Sequence, residues 1–258
     1  MEENTQRHMR RLLHIIPVAL LLASLAIMAS SYAQTGDIFI RSIELRGGTL
    51  ITVSMQSPPD ISAIEGALSG FSHVSVRELR SFSGYGITIE AAADADTEAI
   101  LQAVGSAGVD TRGSTIEKVG PSLGASFWGQ AQAGIISAFI AMAVIVFFIF
   151  RTYIPSLAVI LAGTSTIIIT IASMLVLNIE LSLASLAAIL TLIGYSVDTD
   201  ILLTTKVLRD PGTIDERERR ARKTGLTMTL TSLGAATVLY LSSVSQVTNQ
   251  IAIVLIIG

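Results

Sequence analysis

Cysteine is missing altogether from the 258 residues. A disulfide framework, a thiolate metal site and a thiol nucleophile are therefore excluded. Charge is scarce too: Asp, Glu, Lys and Arg make up 14% of the chain. An average soluble domain carries roughly 25%, so the composition argues against a disordered chain and against an ordinary cytosolic enzyme. The formal net charge of -3 leaves no basic excess with which to hold nucleic acid. Histidine occurs three times, at His8, His14 and His73, without the spacing of a metal site. Gly47-Gly48 reads as a structural turn followed by strand-like sequence rather than by a phosphate-cradling helix, so neither metal nor cofactor is expected.

Apolar residues, by contrast, make up 51% of the chain, and the mean hydropathy is +0.65. Uncharged stretches of 32 residues (119–150), 28 residues (152–179) and 35 residues (224–258) alternate with short charged patches. A bilayer core about 30 Å thick takes roughly 20 apolar residues in a helix, so these stretches are long enough to span it. The chain reads as an α-helical polytopic membrane protein. The spans fall at 12–33, 129–150, 154–177, 181–203 and 225–244, with a sixth opening at Ile251. Residues 251–258 reach only about 12 Å at helical rise, so the expected sixth span is truncated. The first run follows Arg7, Arg10 and Arg11 and ends at Ser31-Tyr32-Ala33, which also fits a cleavable signal peptide.

Lys and Arg in the short loops orient the chain. Residues 1–11 carry three, the next such loop has Arg151, and loop 204–224 holds Lys206, Arg209, Arg217, Arg219, Arg220, Arg222 and Lys223. The opposite loops have none at 178–180 and 242–250. The amino terminus is therefore expected on the cytoplasmic side and residues 37–118 outside.

That outer segment holds eleven acids and six bases and changes periodicity. Alternation over 38–55, a helix opening at Pro58-Pro59-Asp60, strands over 74–79 and 85–90 joined through Ser83-Gly84, a helix over 94–107 and a closing strand within 109–119 give an α+β domain. The order predicts a ferredoxin-like sheet with both helices on one face. In loop 204–224, Asp210-Pro211-Gly212 marks a turn and Thr213-Ile214-Asp215-Glu216 starts a short charged helix. That helix reads as a solvated surface, with docking of a cytoplasmic partner or anionic lipid as the alternative.

The fourth span contains Ile193-Gly194-Tyr195-Ser196-Val197-Asp198-Thr199-Asp200-Ile201-Leu202-Leu203. An acid at the centre of a membrane helix costs about 2.5 to 3.5 kcal/mol on insertion scales, so it is neutral, paired or facing a wet cavity. A carboxyl that loads and releases a proton suits a machine driven by a membrane gradient, and Asp198 and Asp200 are the proton-relay candidates. Two positions along a helix means about 200° of rotation, so the two acids need separate roles. Asp198, the deeper, is expected to couple to the ion; Asp200 fits an exit path or a pair with Lys206. The fifth span carries Thr224, Thr227, Thr229, Thr231 and Ser232. With Gly194, Tyr195, Ser196, Thr199, Gly225 and Gly234 they fit close helix packing, and Thr227 or Thr231 near Asp198 would support a relay.

Three segments together carry a family resemblance: Ile43-Glu44-Leu45-Arg46-Gly47-Gly48-Thr49 soon after the first span, Val119-Gly120-Pro121-Ser122-Leu123-Gly124 before the second, and residues 193–203 in the fourth. In this architecture they resemble the SecF branch of the SecD/SecF family, within the resistance-nodulation-division superfamily, over essentially the whole chain. The resemblance implies a non-enzymatic cell-membrane protein that pairs with SecD. That pair assists the Sec translocon in moving unfolded preproteins across the membrane, using the proton gradient and in contact with membrane lipid. The pattern departs from bacterial relatives, which read Gly-Tyr-Ser-x-Asn-Asp-Thr where this chain has Asp198, Thr199 and Asp200 across the last three positions. Asp198 aligns instead with the acid of the corresponding SecD motif. Met228 stands where bacterial relatives carry an intramembrane arginine, so the variant looks like the archaeal branch. Two other readings compete: an exporter of lipids or small amphiphiles with the same superfamily helices, and an intramembrane aspartyl protease. The protease needs acids on facing helices, whereas both acids here share one helix.

Overall fold

The computed structural model describes residues 2–55, 57–71, 74–81, 84–242 and 245–258. His73, Ser83 of the expected hairpin link and Val244 at the end of the expected fifth span lie outside the described residues, as do the side chains of His8 and His14. Helix α1 (Glu2–Thr35) leads into a short turn α2 (Ile43–Arg46), then β1 (Gly48–Met55), α3 (Ile61–Leu68), β2 (Ser75–Ser81), β3 (Gly84–Ala91), α4 (Thr97–Ser106) and β4 (Thr115–Val119). Five helices follow: α5 (Pro121–Phe150), α6 (Tyr153–Val176), α7 (Leu183–Arg209), α8 (Ile214–Ser242) and α9 (Gln246–Ile257). Among the described residues, five helices are long and apolar enough to cross a membrane, within α1 and in α5, α6, α7 and α8. The chain is a multi-pass membrane protein with a small sheet domain.

The four strands form one antiparallel sheet in the order β2-β3-β1-β4, with Ile51 opposite both Ile89 and Ile116. Period-2 alternation sends Ile51, Val53, Ile87 and Ile89 to one face, where Ile64, Leu68, Ile100 and Val104 of α3 and α4 cover them. Both helices start as their sequence signals require. Asp60 accepts from Ala63 N (3.2 Å), and Asp96 accepts from Glu98 N (3.1 Å) and Ala99 N (3.2 Å), satisfying first-turn amides.

Two expectations are corrected, and one helix runs further than its expected span. Residues 43–46 form a helical turn rather than part of a strand, because Gly47 (φ +83°) breaks the extended path and Ile43 and Leu45 are both sealed in. The helix that contains the expected second span, 129–150, starts eight residues earlier, at Pro121, with Pro at the first helical position. The charged segment after Thr213 is one continuous helix with the fifth span, since no Gly or Pro breaks it before Gly225, at which an added Cβ would meet the Leu203 side chain of α7.

Two of the sequence motifs meet in space. A Cβ on Gly47 would stand 2.7 Å from Pro121 Cα, and one on Gly124 would stand 2.5 Å from Gly47 N. Only glycines allow α2 to lie against the start of α5. The linker before α2 also pairs with the loop between α6 and α7: Ser42 N donates to Leu181 O (3.0 Å) and Leu181 N to Ile40 O (2.7 Å). The sheet domain is thus seated directly on the bundle, against the start of α5 and the loop before α7.

Candidate functional site

Helix α7 is the hub of the bundle, packing against α5, α6, α8 and α9. Ser182 caps it reciprocally with Ser185, and its inner face buries Leu186, Ile189, Leu192, Ile193 and Val197. Its other face presents Leu183, Ala187, Thr191, Gly194 and Asp198, all exposed and spaced by four, four, three and four residues. That spacing is one helical stripe, and after Leu183 every residue above the acid is small. Asp198 stands 15 residues into the helix, about 22 Å from its start and a little past the midpoint of α7.

Asp198 therefore lies on an open flank of the bundle, while Asp200, two residues on, is half-buried. The structure keeps the two acids apart, as the helical rotation demands. Lys206 turns elsewhere, donating to Thr224 Oγ1 (2.9 Å), and among the described residues neither acid takes part in an ion pair.

The neighbouring hydroxyls satisfy backbone first. Thr199 Oγ1 donates to Tyr195 O (2.9 Å), Thr227 Oγ1 to Lys223 O (2.8 Å) and Thr231 Oγ1 to Thr227 O (2.7 Å). Tyr195 reaches across to α8, its hydroxyl donating to Met228 O (2.9 Å). The position that the resemblance sets against an arginine thus contributes a carbonyl to the α7–α8 contact. Gly194 has open space where a Cβ would be, and so does Gly234 of α8. Ser196 is half-buried, and Thr227 and Thr231 are exposed.

A second charged constellation, which sequence reasoning missed, lies at the amino-terminal end of the same helix. Glu180 precedes α7, and its carboxylate accepts from Arg77 of β2 (2.6 Å). Glu90 of β3 accepts from Arg46 of α2 (2.5 Å), and Glu44 accepts from Leu183 N (2.7 Å). Burial pushes the Glu180 carboxyl up to about 7; its hydrogen bond and like charge with Glu90 add to the rise, while Arg77 and Arg46 oppose it. The available signal was Glu90 itself, an acid closing the apolar strand Ile87-Thr88-Ile89. Its partner is 90 residues away in a loop that showed only a lack of basic residues.

Comparison with known proteins matches residues 98–258 to the family described as protein export membrane protein SecD/SecF, C-terminal. The chain is 38% identical to the protein-export membrane protein SecF of Pyrococcus furiosus over 247 residues, covering 95% of this chain and 83% of that one. It is 41% identical to the SecF of Methanothermobacter thermautotrophicus over 224 residues, 84% and 77% respectively, and 37% identical to that of Haloferax volcanii over 238 residues, 92% and 81%. Among solved structures it is similar to the translocon-associated membrane protein SecDF of Thermus thermophilus, with a TM-score of 0.71 at 20% identity. The match covers 95% of this chain and 35% of that longer one, and the likeness is one of fold.

Proposed function

Because this chain belongs to the SecD/SecF family of protein-export membrane proteins, we propose that it is an accessory subunit of Sec-dependent export whose α7–α8 flank seats SecD and whose Asp198 carries the coupling proton. The observation that carries this reading is the exposure of Asp198 on a stripe of small residues halfway along a spanning helix. A carboxylate facing lipid at that depth is costly, so the flank is satisfied by a protein partner or a wet path between bundles. Small residues at 191 and 194 let another helix backbone approach closely.

Protonation neutralises Asp198 and lets the flank repack; release on the cytoplasmic side restores it, with Asp200 on the way out. One proton crossing 100 mV supplies about 2.3 kcal/mol, enough to rectify the diffusion of a chain emerging from the translocon. The basic residues of 204–224 support a cytoplasmic placement for that end of α7, which puts the sheet domain on the outer side of the cell membrane. Its element order and strand order support the ferredoxin-like arrangement, and the exposed edges of β2 and β4 suit contact with unfolded preprotein by strand addition. An apolar α9 of 12 residues supports a sixth span.

The test is Asp198→Asn in the full chain. SecD should still co-purify, while gradient-stimulated preprotein translocation into inverted vesicles should fall to its level without a gradient. Stimulation equal to that of the unmodified chain would overturn the coupling role.

A further inference from the structure

Four charged side chains meet where the sheet domain sits on the bundle. Glu90 is 4% exposed and the Glu180 side chain 11%, whereas Arg46 and Arg77 remain open to solvent at 49% and 41%. The two carboxylates are thus held in one seat, each against an arginine and each withdrawn from water.

They line a cavity of about 240 Å³ together with Ser42, Thr88 and Asn249. Ser42 Oγ, Thr88 Oγ1 and Asn249 Oδ1 are buried there without a protein partner, and Ser42 and Thr88 are only 7% and 6% exposed. Orphaned oxygens of this kind need hydrogen bonds, and a space this size holds several waters at about 30 Å³ each. The exposed Asn178 carries the lining out to the surface. Protons therefore have a wet route between the pair and the outer solution.

We infer that Glu90 and Glu180, two buried carboxyls lining one cavity, form an exchangeable proton site that governs the seating of the sheet domain on the start of α7, closed when one of the pair holds a proton and opening when both carboxyls are ionised. The site goes beyond the export reading and does not depend on Asp198. Every charged group facing it enters the balance. Glu90 comes from β3, Arg77 from β2, and Arg46 and Glu44 from α2; α9 offers only the neutral Asn249 and Gln250, and Arg41 of the linker is engaged with Asp37 (2.7 Å). Two ionised carboxylates side by side repel, and arginines half in water screen them only partly. Glu180 adjoins Leu181, which pairs with the linker, and stands three residues before α7, so unseating frees the linker and the helix start together.

The direction follows from linkage. The closed seat binds the proton more tightly, near 7 against the ordinary 4.5, so rising pH favours opening. The opening constant gains up to about tenfold per pH unit across that interval and levels off above it.

The natural absence of cysteine makes the test clean. Spin labels at Gln102→Cys on the sheet domain and Leu177→Cys on the bundle, in the full chain in lipid nanodiscs, report the seat by double electron–electron resonance from pH 4 to 9. One distance is expected at low pH and a second, longer population above about pH 7. Glu180→Gln, which keeps the shape but cannot ionise, should hold the low-pH distance throughout, and Asp198→Asn should titrate like the parent. Infrared difference spectra should show a protonated-carboxyl band that titrates in the parent and in Asp198→Asn and is lost in Glu180→Gln. A parent distance indifferent to pH, a Glu180→Gln variant that opens like the parent, or a titrating band that survives it would each overturn the proposal. An Asp198→Asn variant that loses translocation yet keeps this titration separates the two readings.

Discussion

In the sheet domain Ile51, Ile87, Ile89, Ile100 and Val104 are fully sealed between one sheet face and two helices, whereas in the bundle α8 leaves Leu226, Leu230 and Val238 between 62% and 65% exposed. The first region closes its apolar surface with its own residues. The second leaves that surface open along a helix apolar enough to cross a membrane, so similar side chains have opposite energetic meanings in the two places. In the domain, water is the alternative to burial and each methylene contributes; along α8, hydrocarbon is the alternative and burial inside the chain adds little.

The largest effect that sharpens this contrast is expected from Ile89→Ala. It removes a side chain at the centre of the sheet core and should destabilise the domain by about 2 to 5 kcal/mol. Protease susceptibility of the full chain against temperature reads the loss. Leu230→Ala on α8, deleting a comparable side chain, should fall within about 0.5 kcal/mol of the parent in the same assay. Equal losses at the two sites would break the comparison.

The junction between the regions should respond next. Gly124→Ala drives a Cβ to 2.5 Å from Gly47 N, against backbone that has nowhere to retreat, and overpacking of this kind costs about 1 to 3 kcal/mol. Gly129→Ala, one turn and a half further along α5, meets nothing within 4 Å and should be neutral. Thermal release of the sheet domain, followed by cleavage of the linker between α1 and β1, distinguishes them. Equal melting of the two variants would mean that the close approach of α2 to α5 does not hold the domain in place.

The same contrast explains what was legible beforehand. Long uncharged runs announced the spans, and Asp60 announced the start of α3, because both signals are local; α4 was read from residue 94, three residues before it begins at Thr97. Residues 43–46 misled because Ile43 and Leu45, two apart, fit a strand as well as a turn wedged between two elements. The early start of helix α5 was missed because Pro121 to Trp128 looks like a loop until Gly47 is known to lie against Gly124. Asp198 was readable as a candidate, but its exposed face was not, since nothing local says which side of α7 the other helices take. The Glu90–Glu180 pair was invisible for the same reason on a larger scale. It is made by the seating of one region on the other, and neither acid has a sequence neighbour that hints at its partner.

The smallest effect concerns how much of the domain's closure rests on helix ends. Asp96 satisfies two orphan amides at the start of α4, whereas Asp60 satisfies one at α3. Asp96→Ala should cost about 1 kcal/mol and Asp96→Asn only a fraction of it, because the amide oxygen still accepts. The loss should appear first as faster amide exchange in the opening turn of α4, ahead of Ile100 and Val104, which pack into the sheet. Exchange that quickens equally throughout α4 would show that the core holds the helix only as firmly as its cap does. Exchange confined to the first turn would show the apolar face of α4 anchored independently of its start, as expected of a region that seals its core with its own residues.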